Sequence, residues 1–205
     1  MKPTCFSFLA ASLLSAIFFS ALPVTLRAQT KSPEDTMLRL KAALVLTPEF
    51  CATKTKKGSF VSGKETFEIG KAACTDLEPA LKTVFPSLTR VAAVPPPEEV
   101  QVVLLPRFGE VDATRTLGAF SDREMVVLLE WTVTDRSGKT VWIETVQGSA
   151  KHHMGNSFTH NKNLKLIVED SVRDAAEQSA NKMSSSPELR KLTQSAPRPS
   201  LPPEK

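Results

Sequence analysis

Catalytic signatures are what this 205-residue chain lacks. It has no Gly-x-Ser-x-Gly elbow, no cysteine placed with a histidine and asparagine set, and no glycine-rich nucleotide fingerprint after a strand pattern. An enzyme is not expected, and no cofactor is implied. Cysteine is scarce, at three residues, and none is in Cys-x-x-Cys spacing, which argues against a redox or metal pair of that kind. A clustered basic face interleaved with aromatics is also missing, so a nucleic-acid partner is not expected. The one basic cluster, Lys54, Lys56 and Lys57 beside Gly58, reads as a solvated turn.

What is present begins with an export pattern. Lys2 precedes an apolar run from Phe6 to Val24, and Leu26-Arg27-Ala28-Gln29 supplies a small residue at a cleavage point after Ala28. Residues 1–28 are therefore expected to be a signal peptide, with an uncleaved anchor as the alternative. Cys5 stands before the apolar run and lacks the context for lipid attachment, so a lipoprotein is not expected. Removal of Lys2 and Arg27 leaves 24 of the 26 basic residues against 22 acidic ones, a near-neutral balance. A periplasmic or secreted location follows, with membrane association only through a partner or an uncleaved signal. The sequence sets no oligomeric state.

Export places Cys51 and Cys74 in an oxidising space, where they are expected to form a structural disulfide. Closing a loop of that length contributes roughly 3 kcal/mol in the chain-entropy account.

The most strongly patterned stretch is 125–148, MVVLLEWTVTDRSGKTVWIETVQG. Val127, Leu129, Trp131 and Val133 alternate with Glu130, Thr132 and Thr134, the period of a half-buried strand. Val141 and Ile143 continue the pattern in a second arm. Between the arms, Asp135 can bond its own turn backbone and Gly138 can take positive φ, which predicts a long β-hairpin. Gly138-Lys139-Thr140 is not a phosphate loop: Val133 stands where the motif needs glycine, and a strand pattern follows where it needs a helix. Trp131 and Trp142 could stack a sugar or a base, but on such strands they are expected to fill the core or a cross-strand pair.

Elsewhere, Ala42–Leu46 reads as a buried first strand and Thr66–Ile69 as a short one. A helix is expected over Gly70–Phe85, firm from a Thr75/Glu78 capping box, with Pro79 as a kink. Val100–Leu105 reads as a strand whose far end Pro106 demotes to an edge or a bulge. Gly109–Arg123 reads as a long loop. The clearest helix runs from Leu164 to Met183, with Ile167, Val168, Ser171, Val172, Ala175, Ala176 and Ser179 on one face and a Glu169–Arg173 pair on the other. Residues 193–205 are Pro-rich and expected to be disordered, with a weak PxxP ligand pattern. A single domain is expected over 38–192.

All three histidines, His152, His153 and His160, fall between the last strand and the second long helix. A loop there could bring two or three imidazoles together on zinc, copper or nickel, with Met154 available to copper. The spacing matches no recognised site, and an exposed polar connection is the simpler expectation.

The hairpin Val127–Asp135 with Gly138-Lys139-Thr140-Val141-Trp142, the amphipathic helix from Leu164 and the helix Gly70–Phe85 together resemble a group of envelope proteins. That group includes the LPS-assembly lipoprotein and the ABC-transport auxiliary lipoproteins, and the resemblance extends from Leu38 to Leu192. It implies an α+β two-layer sandwich, a mostly antiparallel sheet of about four strands with two helices on one face. It brings no catalytic residues. Those proteins are lipid-anchored, whereas this chain has no lipidation cysteine after its signal-like segment. The resulting expectation is a non-catalytic binding or scaffold protein, accessory to an envelope assembly or transport complex. It would hold an envelope protein through a sheet edge, the 109–123 segment or the Pro-rich tail. The alternative is a small-ligand or metal binder using 152–160.

Overall fold

The computed structural model describes residues 36–59, 63–112, 122–153 and 160–195. The signal-like segment 1–28, Met154 and the tail from 196 lie outside them. The chain forms β1 (Lys41–Val45), α1 (Pro48–Cys51), β2 (Thr55–Ser59), β3 (Gly63–Phe67), α2 (Ile69–Lys82) and β4 (Ser87–Val91). It continues with β5 (Val102–Asp112), β6 (Asp122–Asp135), β7 (Thr140–His153), α3 (His160–Ser185) and α4 (Pro187–Ser195).

The fold is an α+β two-layer sandwich. Its sheet has five strands rather than about four, in the order β4-β1-β5-β6-β7, and β2–β3 form a separate hairpin. The sheet is mixed rather than mostly antiparallel: β1 pairs parallel with β4 and β5, whereas β5–β6 and β6–β7 are antiparallel. The fifth strand is Ser87–Val91, a short polar segment with only Leu88 fully buried, so hydrophobic alternation barely marks it.

Alternation along β6 divides the two faces. Arg123, Met125, Val127, Leu129, Trp131 and Val133 are buried, and every residue between them is exposed or half-buried. The buried set meets the apolar stripe of α3, where Ile167, Val168, Val172, Ala175, Ala176 and Met183 are all buried. α2 lies beside α3 and buries Ala72, Ala73, Leu77 and Leu81. The two helices run in the same direction: Lys71–Asp76 face Leu164–Glu169, and Pro79–Thr83 face Glu177–Asn181.

One contact fixes how close α3 comes to the sheet. A methyl group at Gly148 in β7 would collide with the Ser171 carbonyl oxygen and the Ala175 amide nitrogen, so helix backbone rests directly on strand backbone. Gly70 plays the same part at the other helix, since a side chain there would strike the Phe50 and Cys51 carbonyls and the Thr53 amide. The Cys51–Cys74 disulfide, with Cα atoms 5.7 Å apart, joins α1 to α2 beside that contact. From β4, the Arg90 guanidinium donates to the Cys74 carbonyl at 3.0 Å.

Three local expectations are corrected. α2 begins at Ile69, one residue before the expected Gly70, but it is continuous helix from there through Pro79 rather than firm only from Thr75. Thr75 forms no capping box: its hydroxyl donates to the Lys71 carbonyl one turn back at 3.0 Å, and Glu78 pairs with Lys82 at 2.7 Å. Pro106 does mark an edge, but β5 continues past it to Asp112, where a loop from Gly109 was expected. Its pairing with β1 ends at Leu104, so Pro106 sits where the strand has a neighbour on one side only, and its missing N–H breaks no ladder there. Gly109–Asp112 and Asp122–Arg123 are therefore strand, and 113–121 lie outside the described residues.

Candidate functional site

The hairpin turn has the predicted chemistry. Asp135 Oδ1 accepts from the Ser137 amide at 2.8 Å, the Ser137 hydroxyl at 2.6 Å and the Lys139 amide at 3.1 Å. Gly138 has φ of 80°. These donors, the Ser137 hydroxyl foremost, hold the Asp135 carboxyl below its ordinary range. Together these contacts close the hairpin.

The histidines are not gathered in a loop. His152 and His153 are the last residues of β7, and His160 is the first of α3. Strand alternation sends the two adjacent imidazoles to opposite faces. His152 Nε2 lies 2.7 Å from Asp170 Oδ2 of α3, and His153 Nδ1 lies 3.1 Å from Asp122 Oδ1 of β6. Among the described residues, no three metal-binding side chains converge. The expected Glu169–Arg173 pair is replaced by Glu169–Lys165 at 3.5 Å and Asp170–Arg173 at 3.0 Å.

The two tryptophans separate in role. Trp131 is fully buried, and its indole N–H donates to Ser179 Oγ at 2.8 Å. Trp142 is half-buried beside Ile143 and Pro187, where the start of α4 meets β7.

β7 is the long edge of the sheet, and a row of α3 side chains occupies its outward backbone groups. Lys182 Nζ donates to the Thr145 carbonyl at 3.3 Å and reaches Glu144 at 2.5 Å. Asp174 accepts from the Ser149 amide at 2.8 Å, and Asn163 donates to the His153 carbonyl at 2.9 Å. A strand added along β7 would have to displace these contacts.

Two surfaces remain. The first is the outer face of the sheet, opposite α2 and α3. On it a row crosses three strands, from Leu105 past Thr132 to Ile143; Leu105 and Ile143 each lie directly opposite Thr132. Leu105 and Thr132 are half-buried, and Ile143 is 68% exposed. The Arg107–Glu130 pair at 2.7 Å flanks the row. The second surface is the groove between α2 and α3, where a cavity of about 530 Å³ has Phe67, Ala72, Leu164 and Val168 as its apolar part. Burial pushes the Asp76 carboxyl of this groove above its ordinary value; Glu169 and Asp170 add to the rise, and Arg173 opposes it.

No family model and no curated protein matches the chain. Among solved structures, it is similar to a minor lipoprotein from Acinetobacter baumannii at 13% identity and a TM-score of 0.45, over 71% of this chain and 91% of that one. A Xanthomonas campestris protein of the family DUF330 matches at 5% identity and a TM-score of 0.48, over 73% and 89% of the two chains. Uncharacterized lipoprotein B from Nitrosomonas europaea matches at 11% identity and a TM-score of 0.47, over 73% and 86%.

Sequence reasoning found the hairpin turn and the disulfide cysteines but neither surface. The outer row was hidden because Val141 and Ile143 read as the apolar phase of the second arm, whereas Ile143 is 68% exposed and the buried positions, Val146 and Gly148, lie in the other phase. The groove had no local signal, since it exists only through the placement of one helix beside another.

Proposed function

We propose that this protein is a non-catalytic binding component of the cell envelope, accessory to an assembly or transport complex, and that it holds an envelope protein against the outer face of its sheet. The observation carrying this reading is the row Leu105–Thr132–Ile143, apolar enough to gain from burial and set on the face that α2 and α3 leave uncovered. The Arg107–Glu130 pair beside it supplies charges of both signs to set the partner's orientation. The blocked β7 edge favours face-on contact over strand addition along that edge. The signal-like segment and the Cys51–Cys74 bridge support an exported, oxidised location.

The test is in-cell crosslinking with Leu105→Glu and Ile143→Glu variants beside the unaltered chain. All three are expected to unfold at similar temperatures, because the altered side chains lie outside the core. The unaltered chain is expected to crosslink to a defined envelope partner, and the variants to lose at least tenfold of that product. Equal crosslinking in the variants would overturn the assignment of this face.

A further inference from the structure

We propose that the groove between α2 and α3 binds a small organic amine on an apolar body, with Asp76 as the counter-ion of its ammonium group. This site is on the helical layer and does not depend on the reading of the outer sheet face.

Beside the cavity of about 530 Å³ is a second of about 500 Å³, and Asp76 and Arg173 line both. Such volumes suit a small molecule. The apolar part, where Phe67, Ala72 and Val168 are buried and Leu164 is half-buried, accommodates a hydrocarbon body.

The charge pattern selects the head group. Glu68 is paired with Lys54 at 3.0 Å, Glu169 with Lys165 at 3.5 Å, and Asp170 with both Arg173 and His152. Asp76, half-buried and lining both cavities, has no hydrogen-bond or ion-pair partner among the described residues. Burial withdraws its carboxylate from water by more than the attraction of Arg173 offsets, so its proton affinity rises. Among its charged neighbours Arg173 acts most strongly and against the rise, while Glu169 and Asp170 each add to it. A ligand carboxylate would add to this repulsion, whereas an ammonium group would supply the missing ion pair and donate hydrogen bonds to Asp76. Lys71, which also lines the first cavity, is exposed and stands five residues before Asp76 on α2.

Isothermal titration of the mature chain with hexylamine, hexanol and hexanoate tests the assignment. Saturable binding of hexylamine is expected, at least tenfold tighter than hexanol and far tighter than hexanoate. Asp76→Asn should weaken the amine at least tenfold while leaving the circular dichroism unchanged. Arg173→Ala, which removes the cation opposing Asp76, should tighten it, and Lys71→Ala should change it less than twofold. Absence of amine binding, equal binding of hexanol, preference for hexanoate, or an unaltered affinity in Asp76→Asn would each overturn the proposal.

Discussion

The indole N–H of Trp131 donates to Ser179 Oγ at 2.8 Å, and that hydroxyl donates to the Ala175 carbonyl at 2.6 Å. The largest side chain of the sheet layer is thus satisfied by a serine on the buried stripe of α3, and a single polar chain locks strand to helix. Ser179→Ala leaves the indole without its partner and should cost about 1–3 kcal/mol. Urea unfolding followed by tryptophan fluorescence would measure this; an unchanged midpoint would contradict the role given to the bond.

Gly148 sets the distance between α3 and β7. Gly148→Ala inserts a methyl group into helix backbone and should destabilise the fold by about 1–3 kcal/mol or more, with a larger loss for Gly148→Val. A glycine inside a strand pattern is a signal of close backbone approach, so this contact was available to sequence reasoning. Thermal unfolding of the two variants would show the ordered loss; a neutral Gly148→Ala would mean that α3 can lift away from the sheet.

The hairpin and α3 were legible because each keeps one hydrophobic period over a long run, and the period alone places Trp131, Val133, Val172 and Met183 inside. The first turn of α2 and the second half of β5 were not. Ile69–Lys71 lacks a side-chain cap and is held by the backbone contact of Gly70 with α1, which is tertiary. The polar run from Gly109 reads as a loop, and its pairing as strand with β6, like the β1 pairing that ends at Leu104, is invisible to local pattern. His152 and His153 were assigned to a connection because β7 was taken to end near Gly148, where close packing had removed the side chain that would have marked it.

Asp174 and Lys182 block the β7 edge through the Ser149 amide and the Thr145 carbonyl. Asp174→Ala combined with Lys182→Ala frees those groups and should promote strand-to-strand self-association. Sedimentation velocity should show a concentration-dependent increase in size for the double variant relative to the unaltered chain. If the two sediment alike at every concentration, the edge is protected by something else.

Asp135 organises the turn as a carboxylate, and its donors hold its folded pKa below the ordinary value. The group therefore favours the folded state above the unfolded aspartate pKa of about 3.9, and the contribution is lost as pH falls through the depressed folded value. The stability difference between the unaltered chain and Asp135→Ala should be constant at neutral pH and shrink on acidification below about pH 4. A difference that stays constant down to the acid transition would show that the carboxylate's charge does not matter to the turn.

The central claim is that the uncovered outer face of the sheet is where an envelope partner sits, and a photo-crosslinking residue tests it most directly. Placed at Ile143, on the outer face, it should give a single major adduct with an envelope protein in living cells. Placed at the exposed Lys82 of α2, it should give none. Adducts formed equally from both positions, or from Lys82 alone, would contradict the account and move the partner to the helical layer.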